Sequence, residues 1–225
     1  MSEVTPLHPA DDEELRAVDG RVPGRRGRAT RQKLLECTSS MLRTTSYRDL
    51  KVVDIAREAG TSPATFYQYF ADVEAAVHVL AEEMAQQGHR FAEMVQENRW
   101  KGRSGYDGAV RLADEFISFW DEHRSVLRVV DLATNEGDNR FANIRTRLLN
   151  DFNNALSEAI AEMKRSGRHP DDVDPLATAG VLVAMLAHVA SHQYGFEFWG
   201  VRTADLRTSM ARIIYTSVTG QRPPR

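Results

Sequence analysis

The sequence predicts an all-α protein of about nine helices: an N-terminal three-helix head carrying a helix-turn-helix, then a larger C-terminal helical domain. Three observations predict it. Apolar residues recur at intervals of three and four along most of the 225 residues, the spacing of helices that each bury one face. No segment sustains the two-residue alternation of a half-buried strand. Between Lys51 and Phe70, Gly60 separates two short helical patterns, which is the layout of a helix, a turn and a second helix.

Taken in order, residues 1–29 place Pro6, Pro9, Pro23 and several glycines around an acidic patch and a basic run, as expected of a flexible arm with a basic end. From Ala29 to Thr45, the residues Leu34, Leu35, Thr38, Met41 and Leu42 share a helical face. Cys37 lies on that apolar side, where a buried small residue is expected rather than a redox sensor. A short helix over Lys51 to Ala59 turns Val52, Ile55 and Ala56 inward, and Gly60 supplies the residue after its end. Thr61 or Ser62 can cap the next helix, Pro63 suits its first position, and Phe66 and Phe70, four apart, are candidates for the core. Asp72 to Asn98 reads as one long helix and Arg99 to Gly105 as a polar break. Further helices are expected at 106–122, 124–134, 139–166, 174–197 and 203–219. The expected division is therefore an arm (1–29), a head (30–72) and a second domain (73–220).

Hydrophobic residues make up 42% and charged residues 27%, ordinary for a soluble globular chain. Cys37 is the only cysteine, which excludes an intrachain disulfide framework and a multi-cysteine zinc site. The chain opens without a basic-then-apolar signal pattern, so a cytoplasmic location is expected. The longest apolar run, Leu176 to Ala190, spans about 15 residues, short for a bilayer crossing; a buried helix and no membrane association are expected.

The net charge of −3 hides an uneven distribution. Residues 1–20 carry one basic and six acidic residues, 21–72 carry ten and five, and 73–225 carry eighteen and twenty-one. One short segment holds the positive field. That is either a solvated helical face or the footprint of a nucleic-acid-binding head.

The stretch from Val52 to Phe70 decides between them. It resembles the helix-turn-helix of the TetR family, whose usual wording is V-x-D-I-A-x-x-A-G-V-S-x-x-T-x-Y-x-x-F. Asp54-Ile55-Ala56, Ala59-Gly60, Ser62, Thr65-Phe66-Tyr67 and Phe70 carry the resemblance, which covers about residues 25 to 80. It implies a homodimeric, sequence-specific DNA-binding repressor on a pseudo-palindromic operator, released by a small apolar or amphipathic effector. A DNA-binding factor without an effector is the alternative, opposed only by the aromatic content of the second half.

Elementary recognition chemistry fits the same stretch. With a DNA-reading helix at about Ser62 to Phe70, Thr65 and Gln68 sit three apart and can face the groove together, while Ala64 is small enough to let the backbone approach. Gln68 suits adenine, and the Thr65 methyl suits a thymine methyl. By resemblance, Tyr67 and Tyr69 contact phosphates or bases through their hydroxyls; either could instead pack in the head. Thr61 and Ser62 complete the expected contacts on that helix. Two departures stand out: Lys51 replaces the usual Ser or Thr cap, leaving capping to another residue such as Asp49 and Lys51 itself free to meet a phosphate. Val73 stands where many members carry a phosphate-contacting Lys. In the arm from Arg21 to Arg28, Arg25, Arg26 and Arg28 alternate with glycines, suiting a narrow minor groove; the alternative is a solvated tail.

In the second domain the resemblance implies a mostly apolar pocket among the middle helices. Phe91, Met94, Phe116, Trp120 and Phe152 are its expected aromatic and apolar lining, although each could be plain core. Asn154, Met185, His188 and His192 are its other candidates. His188 and His192 have the i, i+4 spacing of a metal pair, but no third ligand is evident, so hydrogen bonding is preferred and no metal or cofactor is expected. Gly180, Ala184, Ala187 and Ser191 form a stripe of small residues that lets helices approach closely. With Met210 and Ile214 of the last helix they are the expected dimer interface. Pairs such as His78 with Glu82 lack a nucleophile or cofactor loop, so no enzyme is expected.

Overall fold

The computed structural model describes residues 23–224, and among these every regular element is helical. Arg25–Met41 forms α1, Val52–Glu58 α2, Pro63–Tyr69 α3, Val73–Gln86 α4 and His89–Glu97 α5. Gly102–Glu122 is α6, Arg124–Asn135 α7, Asn139–Arg165 α8, Pro175–Glu197 α9 and Thr203–Thr219 α10, with a 3-10 turn at Tyr47–Asp49. The chain divides into two compact units, Met1–Glu83 with Ser125–Phe141, and Met84–Arg124 with Ala142–Arg225.

In the first unit α1, α2 and α3 pack on one another, burying Leu34, Leu35, Ile55, Ala56, Phe66 and Phe70. Full burial of each large apolar side chain contributes about 1.5–3 kcal/mol. The turn between α2 and α3 needs a left-handed residue, and Gly60 supplies it at φ +67°. α7 belongs to this unit too and buries Val126, Leu127, Val129 and Val130 along one face. Ion pairs from Arg48 to Glu136 and from Arg140 to Glu74 hold the turn after it. The Tyr47 hydroxyl donates to the same Glu74 carboxylate at 3.4 Å; burial, then that charge, pushes the phenol up to about 12.

Three expectations are corrected here. α1 begins at Arg25, not Ala29, so Arg25, Arg26 and Arg28 lie in its first turns rather than in a flexible arm. Arginine is a good helix former, and the Gly24 carbonyl accepts from the Arg28 amide at 2.9 Å. The rest of the expected arm, Arg21 included, lies outside the described residues. Cys37 is half-buried, not buried, and burial pushes its thiol up, away from thiolate reactivity. No side chain caps α2 at Lys51; Asp49 is held in the 3-10 turn instead, its amide donating to Ser46.

In the second unit α6 packs most extensively on α10, with Tyr106 edge-on to Tyr215 at 5.8 Å between centroids and Arg207 paired to Asp114 at 3.2 Å. Phe91 is the centre of an aromatic cluster, 5.0 Å from Phe116, 5.2 Å from Phe119 and 5.7 Å from Phe152. The polar break expected over 99–105 hides a buried Trp100, whose indole donates to the Val95 carbonyl at 3.0 Å. Gly105 faces the Trp100 backbone, where a Cβ would come within 2.8 Å.

The single helix expected over 72–98 is two, α4 and α5, parted at Gln87 and Gly88. A Cβ on Gly88 would lie 2.5 Å from the Leu148 carbonyl oxygen, so α8 approaches so closely that only glycine fits. The apolar helix α9 also departs from expectation. Its 23 residues make it long and apolar enough to cross a membrane by length and composition, and only 33% of its most apolar window is buried. Leu176 and Val181 are 58% and 72% exposed. It is not the buried helix that composition suggested, because its apolar residues run all round and the unit covers one side only.

Gly88→Ala is expected to destabilise the protein by about 1–3 kcal/mol, the usual cost of forcing a methyl group into packed structure. Urea unfolding of the two forms measures it, and equal midpoints would show that α8 can yield.

Candidate nucleic-acid interface

The first unit presents α3 as a surface helix fixed by one face. Ser62 caps it, its side chain accepting from the Thr65 amide at 3.2 Å, and Pro63 takes the first helical position. Phe66 is fully buried and Phe70 nearly so, their centroids 5.4 Å apart, and the Arg31 guanidinium lies 5.4 Å over the Phe70 ring. With residues 66 and 70 directed inward, helical geometry sends Ala64, Tyr67 and Gln68 outward, and all three are exposed. Tyr67 is 51% exposed and Tyr69 is half-buried, so neither is taken into the core. Thr65 is half-buried, its hydroxyl 3.0 Å from that of Ser62 within the cap. Thr61 is half-buried and Lys51 exposed. At the next helix start, where Val73 replaces the common Lys, Asp72 caps α4 by accepting from the Ala75 amide at 2.7 Å.

The basic start of α1 comes to the same place. A Cβ built on Gly27 would lie 3.2 Å from the Tyr69 hydroxyl, so the first turn of α1 sits beside the end of α3. Arg25, Arg26 and Arg28 are all exposed there, and no acidic residue occupies that turn. Cations at the positive end of a helix dipole are unfavourable by about 0.3–1 kcal/mol each. A helix start with three arginines is therefore an anion-seeking surface.

The residues expected to line an effector pocket divide. Phe91, Phe116, Trp120 and Phe152 come together in the aromatic cluster of the second unit, Trp120 stacking on Phe116 at 4.3 Å. Met94 is half-buried. Asn154, His188 and His192 are exposed instead; the two imidazoles stack on each other at 4.2 Å along the outer side of α9. Met185 borders an apolar groove of about 320 Å³ between α9 and α10, with Val181 and Ile213. The expected dimer surface divides as well. Gly180 and Ala184 are exposed, but Ala187, Met210 and Ile214 are buried within the chain and have no surface to offer a second copy. Ser191 accepts from the Trp120 indole at 2.9 Å.

One polar network carried no signal in the sequence. The Asp121 carboxylate accepts from Gln193 at 2.6 Å and from the Tyr194 hydroxyl at 3.0 Å, and Arg124 lies 4.0 Å over the Tyr194 ring. These groups come from segments far apart in the chain, where spacing says nothing. The Asp121 hydrogen bond, with burial, pushes the Tyr194 phenol up.

A capped helix-turn-helix with an exposed second helix and an adjoining cationic helix start defines the class of DNA-binding regulators. Comparison with known proteins agrees. The model for "Bacterial regulatory proteins, tetR family" matches residues 34–75, and that for "Tetracyclin repressor-like, C-terminal domain" matches residues 91–225, more than half of the chain. The HTH-type transcriptional regulator YdgC of Bacillus subtilis (strain 168) is 22% identical over 199 residues, 88% of this chain and 95% of that one. Among solved structures, the FadR regulator of Bacillus subtilis in complex with stearoyl-CoA aligns with a TM-score of 0.60 at 16% identity, over 84% of this chain and 98% of its own. A tetR-family transcriptional regulator from Streptomyces coelicolor aligns at 0.62 and 12% identity, over 86% and 82%. The chain belongs to the TetR family and is a transcriptional regulator of that type.

Ser62→Ala removes the one side chain that caps α3 and is expected to cost about 1 kcal/mol. Chemical denaturation measures it; an unchanged midpoint would mean that packing alone holds α3.

Proposed function

We propose that the protein is a dimeric repressor, released from a pseudo-palindromic operator by a small apolar or amphipathic effector. The observation that carries the DNA part is the pairing of surfaces just described: α3 offers Ala64, Tyr67 and Gln68 outward with Thr65 half-buried among them, and Arg25, Arg26 and Arg28 stand beside its end. Gln68 pairs with adenine and the Thr65 methyl meets thymine; Tyr67, Tyr69, Thr61, Ser62 and Lys51 contact backbone phosphates, with Ala64 allowing close approach. One such helix reads too few bases for specificity, so two heads on a two-fold axis are needed, about 34 Å apart on successive major grooves.

The partner that covers α9 is a second copy of the chain. Val181 and Ile213, 72% and 41% exposed, flank the apolar groove between α9 and α10, and the exposed Gly180 and Ala184 let a facing helix come close. A bilayer is a poor alternative occupant: α9 also carries a buried Gln193 bonded to Asp121 and two exposed histidines. A cytoplasmic location follows from the DNA target.

For the effector, the aromatic cluster around Phe91, Phe116, Trp120 and Phe152 supplies apolar surface. The stearoyl-CoA bound to FadR supports an amphipathic molecule here. α4 runs from the first unit into the second, so a covalent path joins effector region to head. Effector binding moves the two recognition helices off the groove spacing.

DNA selection with the purified chain at physiological salt tests the reading: an enriched palindromic site supports it, and binding without sequence preference overturns it. On that site Tyr67→Phe or Gln68→Ala is expected to weaken binding by about tenfold, since each removed contact is worth about 1–3 kcal/mol. Fluorescence anisotropy measures it, with the dimer intact; unchanged affinity removes that residue from the contact set. Val181→Glu is expected to convert dimer to monomer in light scattering behind gel filtration, and a persistent dimer would place the interface elsewhere.

A further inference from the structure

The first unit holds a cavity that neither DNA reading nor the effector region uses. It measures about 320 Å³ and lies between the segment following α1, residues 42–48, and α7. Three arginines border it: Arg43, Arg48 and Arg128. Arg48 is neutralised by Glu136. Among the described residues Arg43 and Arg128 have no acidic partner, and no carboxylate lines the cavity. Four hydroxyl-bearing residues, Thr44, Thr45, Ser46 and Ser125, line it as well. Tyr47, Leu132 and the buried Leu42 and Val129 form the remaining wall, which is mostly apolar.

We propose that this cavity is a binding site for a small phosphate ester. Two arginines without an acidic partner make one concave surface cationic, and their planar forks match phosphate oxygens. The Thr44 hydroxyl already donates to the Met41 carbonyl at 3.4 Å, but those of Thr45, Ser46 and Ser125 can donate to phosphate oxygens. The apolar wall has no use for inorganic phosphate, but it suits the organic part of an ester, and the volume lies within the range of small-molecule sites. A DNA phosphate is the other source of the same chemistry. It is the poorer fit, because a backbone phosphate is met on open surface and brings no apolar group to Leu42 and Val129. The segment from 42 to 48 and α7 are far apart in the chain, so an ester bridging Arg43 and Arg128 would tie them together.

Isothermal titration of the full chain with phenyl phosphate at fixed ionic strength is the test, since the probe carries one phosphate and one small apolar group. The expected result is saturable binding of one molecule per chain, with a dissociation constant of about 1 mM or lower. Arg43→Gln and Arg128→Gln should each weaken it by about tenfold or more, with circular dichroism and melting unchanged, while Arg99→Gln leaves it intact. Inorganic phosphate should bind more weakly than the ester. Absence of saturation, affinity unchanged from the parent chain in either arginine variant, or a matching loss in Arg99→Gln would overturn the proposal. So would displacement of phenyl phosphate by an arbitrary DNA duplex, which would assign the arginines to DNA. None of these readouts depends on an operator, so failure here leaves the repressor reading standing, and the reverse holds too.

Discussion

A helix of seven residues has no stability of its own in water, and the surface proposed to read DNA is a helix of that length. Everything about α3 therefore depends on its anchorage through Phe66 and Phe70. Phe66 is fully buried, and Phe70 is packed against it under the Arg31 guanidinium. Fixing these two positions fixes the rotation of the helix and hence which residues face out. Tyr67 illustrates the arrangement: its ring lies edge-on to Phe66 at 6.0 Å while half of its surface stays accessible. A residue so placed is held by an apolar contact and offers a polar tip.

The second unit solves a different problem with the same means. Phe91 contacts three other phenylalanine rings at 5.0 to 5.7 Å, and edge and tilted geometries of this kind contribute about 0.5–1.5 kcal/mol per pair beyond burial. Trp120 joins the cluster to its surroundings, stacking on Phe116 with one side of its indole and donating to Ser191 with its nitrogen. The cluster lies inside, whereas α9 leaves Leu176 and Val181 in solvent. The apolar surface of this unit is thus of two kinds, one packed within the chain and one left in solvent.

Much of this was legible in the sequence, and the failures have physical causes. Helices with one apolar face were placed within a few residues because their period is read directly. Phe66 and Phe70 were separable from Thr65 and Gln68 for the same reason. The break at Gly88 was not legible, since its cause is the Leu148 carbonyl from another helix. The basic residues after Pro23 read as an arm because glycine and proline dominate there, yet the helix starts as soon as Gly24 is passed. His188 and His192 are exposed because α9 is apolar around most of its circumference and offers no preferred face to read, and Asn154 is exposed on α8. The cavity between residues 42–48 and α7, like the Asp121 network, joins distant segments, and spacing within either one carries no trace of it.

The helical setting of Arg25, Arg26 and Arg28 has a thermodynamic consequence. A free arm that settles on a nucleic acid loses backbone freedom at that moment, at about 1–2 kcal/mol for each residue ordered. Here that loss is incurred when the chain folds, because α1 already begins at Arg25. In the proposed complex, then, the cationic turn docks as a preorganised body, and its contribution to affinity is the electrostatic one alone, reduced by no ordering of the backbone that carries it.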